Sequence, residues 1–408
     1  MRILLSAYAC EPGSGSDKEV GWQWANNLSL LGHEVWVLTR SIHKQAIEEE
    51  LKKLGSNAGN LHFIYIDADW FIKATKWMKG RIYLYYYLWQ FNAKNIAAKL
   101  NKKIKFDLVH HVTWVSFRQP SFMGRLGIPF VFGPVAGGET APWSLRAGYG
   151  IRQWVSDIVR DLVNYMARFD PLVRSTYKNA SHIYVTSEHT LKCIPKKYRS
   201  KAQVKLAIGI DDIDGGENNR IGGLYDAESG RSFRILYVGR FVGWKGLHLG
   251  LKAFEVFLRH APEATLTMVG RGPDERLFRK LASSLRLDGR IEWIPWVKRD
   301  ELPRIYRSHD VFLYPSLHDS GALTVLEAMS NGLPVVCLNL GGPGAIVDNG
   351  SGICIDVEGK PKSAVVEELA DAMRRLHDDL DFLARVSAGA INRSKYFTWN
   401  GLVRSIYP

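Results

Sequence analysis

Cysteine is sparse in this chain: four in 408 residues, Cys10, Cys193, Cys337 and Cys354, with neither CxxC nor metal-ligand spacing. That excludes a disulfide scaffold and a zinc module, and predicts reduced structural thiols of a cytosolic protein. Long apolar runs are missing too. No window approaches the ~18 apolar residues of a membrane span, and the opening Met1-Arg2-Ile3-Leu4-Leu5-Ser6 is too short for a signal peptide. A cytoplasmic site is therefore expected. Low-complexity tracts are absent, and the only internal repetition is a rough duplication of two halves. Acidic residues are scarce in the first half alone. Residues 1–205 hold 29 Lys+Arg against 15 Asp+Glu, a balance of +14, while residues 206–408 hold 25 against 26. Such asymmetry points to a basic half that meets an anionic partner.

What is present describes a soluble globular protein. Hydrophobic content of 46% and charged content of 23% are ordinary, and the length suits two domains of about 200 residues, each able to bury a full core. Basic residues interleave with aromatics from Asp69 to Phe106, where Trp70, Phe71, Trp77, Tyr83, Tyr85, Tyr86, Tyr87, Trp89 and Phe91 alternate with lysines such as Lys73, Lys76 and Lys79. A second basic stretch runs from Lys192 to Lys201. This pattern predicts attachment to an anionic membrane surface. The alternative is an aromatic core with a solvated lysine face. No nucleic-acid module is apparent, so nucleic acid is not expected as a partner.

β-Branched runs alternate with helical segments twice over. The first series has strands at 2–8, 34–39, 61–66, 107–111, 129–132 and 182–186; the second starts at Phe233 and continues near 264–269, 291–293, 310–314, 334–337 and 353–355. Two doubly wound α/β domains are expected, 1–205 and 206–391, with the polar stretch Asp211 to Ser232 as linker. Ser16-Asp17-Lys18-Glu19 has the form of a capping box opening a helix that Gly32 ends. The loop before it contains Gly13, Ser14 and Gly15, whose amides could approach a phosphate at the helix N-terminus. A dinucleotide site would also want an acid about 20 residues later, but the second strand ends Leu38-Thr39-Arg40. Asp67-Ala68-Asp69 has the spacing of a metal-binding DxD, yet a metal-dependent single-domain enzyme would leave the C-terminal motifs unexplained. His110 and His111 end a strand. Adjacent strand residues point to opposite faces, so one of them, His111 being the candidate, can reach a ligand.

Two stretches of the second half carry the chemistry. Gly239-Arg240-Phe241-Val242-Gly243-Trp244-Lys245-Gly246 follows the strand Phe233–Val238. Arg240 and Lys245 thus sit at a strand's C-terminal end, where parallel sheets bind ligands. A planar guanidinium and a mobile ammonium suit the adjoining phosphates of a diphosphate. Asp319-Ser320-Gly321-Ala322-Leu323-Thr324-Val325-Leu326-Glu327 spaces two carboxylates eight apart across a helix start. Carboxylates grip hydroxyls, and the amides of Gly321 to Thr324 favour phosphate. Together these describe a site for a nucleoside diphosphate linked to a sugar.

The Gly-Arg-x4-Lys-Gly stretch and the carboxylate-x7-Glu element running into Ala328-Met329-Ser330-Asn331-Gly332-Leu333-Pro334 resemble the retaining glycosyltransferases of family 4, which have the GT-B fold. Val269-Gly270-Arg271-Gly272-Pro273, Tyr314-Pro315-Ser316 and Gly341-Gly342-Pro343 add to the likeness, which is strongest over residues 233–357. The resemblance implies two Rossmann-like domains facing a cleft, a metal-independent hexosyl transfer with retention and no cofactor, and a C-terminal helix near 392–408 crossing back to the first domain. It implies catalytic roles for Arg240, Lys245, Asp319 and Glu327, with Glu327 on ribose hydroxyls and Asp319 near the donor sugar. Gly239 and Gly270 would let the nucleotide approach the backbone, and the Gly13 to Gly15 loop would face the diphosphate. The acceptor would be a glycan or lipid-linked hydroxyl. This chain departs from the family in having Asp319 for the usual first glutamate. It also has Gly133-Pro134-Val135-Ala136-Gly137-Gly138-Glu139 where many members carry a histidine, which makes Glu139 a candidate contact. A membrane-bound scaffold that has lost turnover, or a related enzyme such as a sugar-nucleotide epimerase or a glycoside phosphorylase, stays open.

Overall fold

The two series of β-branched runs form two separate parallel sheets, seen in a computed structural model that describes residues 1–67, 81–211 and 232–407. The first sheet holds β1 (Arg2–Ala7), β2 (Glu34–Thr39), β3 (Leu61–Tyr65), β4 (Leu108–Thr113), β5 (Phe130–Val135), β6 (His182–Val185) and β7 (Ala202–Val204). Its order is β3-β2-β1-β4-β5-β6-β7, with each pair parallel. The second holds β8 (Arg234–Val238), β9 (Thr265–Val269), β10 (Ile291–Ile294), β11 (Val311–Tyr314), β12 (Val335–Leu338) and β13 (Gly352–Ile355). Its order is β10-β9-β8-β11-β12-β13, again all parallel. Central strands such as β5, β11 and β12 are buried along their whole length, as expected of strands covered by helices on both faces. Strand β7 is the one that periodicity did not reveal: three residues are too few to show it. In each sheet the strand order reverses once, between β1 and β4 and between β8 and β11, and such a switch point leaves a crevice at the strands' carboxyl ends.

The chain divides into two compact units, Met1–Gly138 with Leu162–Ile208 and Leu402–Pro408, and Glu139–Asp161 with Gly209–Gly401. A simple cut between residues 205 and 206 therefore needs correcting. The segment Glu139–Asp161 folds with the later half, because its groups bond there. His248 Nε2 donates to the Leu145 carbonyl at 3.0 Å, Lys362 Nζ to that of Ala147 at 3.1 Å, and Ser144 Oγ to that of Lys360 at 3.1 Å. Of the expected linker, residues 212–231 lie outside the described residues. At the C-terminus the helix Trp399–Arg404 carries the chain to Tyr407, whose hydroxyl bonds His110 Nδ1 and whose ring meets the Trp24 ring edge-on at 6.4 Å.

Two local expectations change. The helix Ser16–Leu30 is capped by Gly15 (φ 63°), with no side-chain cap. The Gly15 N–H donates to Glu19 Oε2 at 3.4 Å, and the glycine's left-handed conformation starts the helix one residue early. The aromatic segment also splits. Tyr85, Tyr86 and Trp89 belong to the first unit's core with Leu4, Val109, Phe117 and Phe132, whereas Tyr83 and Phe91 are exposed. Trp70, Phe71, Lys73, Lys76, Trp77, Lys79, Ala68 and Asp69 lie outside the described residues. No helix among the described residues is long and apolar enough to cross a membrane.

Candidate functional site

The loop after β8 and the loop after β11 meet at the second sheet's switch point. Gly246 allows it: with φ at 69°, a Cβ there would stand 1.8 Å from the Pro315 carbonyl oxygen. One residue earlier, Lys245 is buried. Its Nζ donates to Asp319 Oδ2 and to the Tyr314 hydroxyl, and lies 4.6 and 4.9 Å from the ring centres of Trp244 and Tyr314. Tyr314 in turn donates to Asp319 Oδ2 at 2.5 Å, and Asp319 Oδ1 accepts from the Gly321 and Ala322 amides at 3.3 and 3.4 Å. Burial pushes the Asp319 carboxyl up, but the Lys245 charge and these hydrogen bonds outweigh it and hold the group below its ordinary range. Four donors fill a carboxylate's roughly four lone-pair sites. Asp319, expected near the donor sugar, thus has its acceptor sites engaged within the protein by Lys245, Tyr314 and the Gly321 and Ala322 amides.

Helix Leu323–Ser330 begins at the same point, with Ala322 in the left-handed region (φ 52°) as its N-cap. The Thr324 hydroxyl bonds Tyr314, and Leu323 and Thr324 present the first-turn amides that a helix leaves without internal partners. One turn on, Glu327 is half-buried and accepts from the Tyr306 hydroxyl at 3.1 Å. Burial raises its carboxyl above the usual range, with Tyr306 and Arg299 opposing. Arg240 is exposed and forms no ion pair among the described residues. Gly270 follows β9 with its Cα beside Gly239, where a Cβ would come 1.9 Å from the Gly239 oxygen.

Glu139 joins this unit and is buried. A Cβ on Gly341 would meet the Asp319 oxygen at 2.3 Å and Glu139 Cγ at 3.2 Å, which places the glutamate beside the Asp319 loop. Arg160 donates through Nη2 to the Glu139 carbonyl and through Nη1 to His318 Nδ1 at 2.8 Å. His318 therefore carries any single proton on Nε2, which faces Asp157 Oδ1 at 3.6 Å. Its ring stacks on Trp244, 4.8 Å between centres. A continuous run of contacts thus leads from Lys245 through Trp244, His318 and Arg160 to Glu139. Sequence reasoning missed His318, Arg160, Tyr306 and the hydroxyl role of Tyr314. His318 directly precedes Asp319 and was visible; nothing in the pattern around Arg160 marks it.

Gly13, Ser14, Gly15 and His111 belong to the first unit. Gly13 and Gly15 have φ of 68° and 63° and open space where a Cβ would be, so conformation rather than crowding requires glycine. The Ser14 hydroxyl donates to Glu11, which also takes His43 Nδ1 at 2.6 Å and Lys18 Nζ at 3.0 Å. Despite partial burial, these bonds bring the Glu11 carboxyl down to about 2. His111 is not where a ligand contact would need it. It is wholly buried between Ser6 Oγ (3.3 Å) and the Tyr86 hydroxyl (3.5 Å), and burial pushes its imidazole down to about 3. Its neighbour His110 is likewise core, held by the Gly133 carbonyl and Tyr407. Asp67 is engaged by the Ser41 amide and the Tyr85 hydroxyl, both at 3.3 Å. Among the described residues, one group has metal-ligand atoms within 4.8 Å: His260, His377 and Asp378. It lies just past helix Leu247–Leu258 and at the C-terminal end of helix Lys362–Asp378, the end of the sheet opposite the strands' carboxyl ends. Cys337 and Cys354, 17 residues apart in sequence, are register partners on β12 and β13 with Sγ atoms 3.8 Å apart.

The family described as glycosyl transferases group 1 matches residues 227–393. A D-inositol 3-phosphate glycosyltransferase of Paenarthrobacter aurescens is 32% identical over 311 residues, covering 72% of this chain and 70% of the relative. The chain belongs to the glycosyl transferases group 1 family. Similar enzymes of Rhodococcus jostii and Corynebacterium glutamicum are each 27% identical, and the matches span 66% and 40% of their own lengths. Among solved structures, the galactosyltransferase WaaB of the lipopolysaccharide outer core superposes over 100% of this chain and 98% of its own with a TM-score of 0.64 at 13% identity. Anabaena HepE in complex with UDP gives 0.61 at 14% identity over 100% of this chain and 98% of its own. At that identity the likeness concerns the fold, and it is the fold that GT-B members of this family share.

Proposed function

We propose that this chain transfers a hexose from a UDP- or GDP-linked sugar to a hydroxyl of a glycan or glycolipid acceptor, without metal and with retention of configuration, at the cytoplasmic face of a membrane in surface polysaccharide or glycolipid synthesis. The observation that carries it is Lys245, buried at the switch point with its charge held by Asp319 and Tyr314. An ammonium has three donors and two are used, so the third serves a phosphate oxygen. Arg240 supplies a second, mobile cation, and the Leu323 and Thr324 amides add the partial charge of the helix N-terminus. Breaking the glycosidic bond puts negative charge on the diphosphate, and these preorganised groups stabilise it as it develops. Glu327, fixed by Tyr306, accepts from the ribose hydroxyls. Asp319 acts through Lys245, and Glu139, held beside the same loop, takes the polar role toward the transferring sugar.

Incubating the protein with labelled UDP- and GDP-sugars and a membrane extract tests this. Transfer of label into an extractable glycan or lipid from one nucleotide class is expected. Tight nucleotide-sugar binding with no transfer from any donor would instead favour the scaffold.

A further inference from the structure

The helix Ile151–Ala167 is amphipathic with its faces reversed. Its polar side is the one the protein holds. Asp157 accepts from Gln153 at 2.7 Å, Asp161 takes Arg146 at 2.7 Å, and Asn164 joins Arg118 Nη1 and the Gly137 carbonyl, each at 3.0 Å. Its apolar side faces outward: Ile151, Val155, Ile158, Val159, Leu162 and Met166 are all exposed, Ile151 by 84% and Leu162 by 59%. Their spacing of three and four residues puts them in one stripe along the helix. Tyr165 and Phe169, edge-to-face at 5.4 Å, extend it at one end, and exposed Trp143 lies against Trp154 near the other. A soluble protein rarely leaves a continuous apolar face of this kind uncovered unless something binds there.

Charge identifies the occupant. Between residues 139 and 180 the exposed charged side chains are Arg152, Arg174 and Lys178, all basic, whereas Glu139, Asp157, Asp161 and Asp170 are buried or half-buried. A second copy packed through the same face would set these cations against their own images. An anionic bilayer would meet them with phosphate, and the tyrosine and tryptophan suit the headgroup level. We propose that this helix lies in the surface of an anionic lipid bilayer with its outward stripe among the acyl chains, and so docks the enzyme on the membrane that carries its acceptor. The proposal rests on the glycolipid-acceptor reading above and moves the membrane contact from residues 69–106 to residues 151–169.

Vesicle co-sedimentation of the full chain tests it, without donor or acceptor, using phosphatidylglycerol–phosphatidylethanolamine vesicles and phosphatidylcholine vesicles. The wild type is expected in the pellet with the anionic vesicles. The Ile158→Glu, Leu162→Glu double variant should lose at least tenfold in partition while keeping wild-type thermal stabilisation by UDP or GDP, which shows that it is folded. Arg152→Gln and Lys178→Gln should each weaken partition by roughly fivefold, the equivalent of ~1 kcal/mol per charge near the surface. Wild type left in the supernatant, or a double variant that pellets like wild type, overturns the proposal. So does a wild-type dimer in light scattering that the double variant splits while neither binds vesicles. Because no transfer is measured, vesicle binding without any transferase activity would instead count against the function.

Discussion

At the residue scale the account turns on a difference between two cations. Lys245 is buried against a carboxylate, and Arg240 is exposed. Alanine at either position should lower kcat by ~100-fold or more, the scale of losing a preorganised charge partner worth ~3 kcal/mol. Their stabilities should part. Lys245→Ala leaves the Asp319 charge buried and uncompensated, a loss of about 3 kcal/mol, while Arg240→Ala should stay within about 0.5 kcal/mol of wild type. Steady-state kinetics with thermal denaturation of both variants checks this; near-normal kcat in Arg240→Ala would remove it from the leaving-group site. The residue types of this site were legible in the sequence, because cations at a strand end and carboxylates at a helix start state their chemistry. That two of them neutralise each other was not, since Lys245 and Asp319 are 74 residues apart and only the folded sheet brings them together.

At the scale of elements, most strands announced themselves through β-branched runs between glycines, and both switch points follow from their order. What stayed hidden was long-range. The segment Glu139–Asp161 sits among residues of the first series in sequence, and its partners, His248, His318 and Lys360, come 100 or more residues later. The apolar stripe of helix Ile151–Ala167 has the spacing of a core-facing stripe, because periodicity does not say which face turns inward. The first helix makes a test of its own. Asp17, in its first turn, is pushed up to about 6 by burial, against a hydrogen bond from the Val115 backbone. The folded protein therefore binds this proton more tightly than the unfolded chain, whose value is near 3.8. Stability should fall as pH rises from about 4 to about 6, and the buried charge should cost about 1–3 kcal/mol at neutral pH. Asp17→Asn should raise Tm at pH 7 and leave it nearly unchanged at pH 4. An equal change at both values would show that Asp17 titrates normally.

For the whole molecule, the proposed donor and membrane contacts fall on different elements. The second sheet gathers cations, amides and Glu327 at β8 and β11 for a nucleoside diphosphate, and the helix Ile151–Ala167, most of whose residues fold with that same unit, turns its apolar stripe to the bilayer. The division of labour depends on one claim: Lys245 and Arg240, without a metal, recognise the diphosphate. Calorimetric titration of UDP and GDP against uridine and guanosine, in excess EDTA, measures it directly on the wild type and on the Lys245→Ala, Arg240→Ala double variant. The account predicts that one nucleoside diphosphate binds the wild type at least tenfold more tightly than its nucleoside, and that the double variant abolishes the difference. A diphosphate that binds no better than its nucleoside until magnesium or manganese is restored, or an advantage that survives in the double variant, would contradict it.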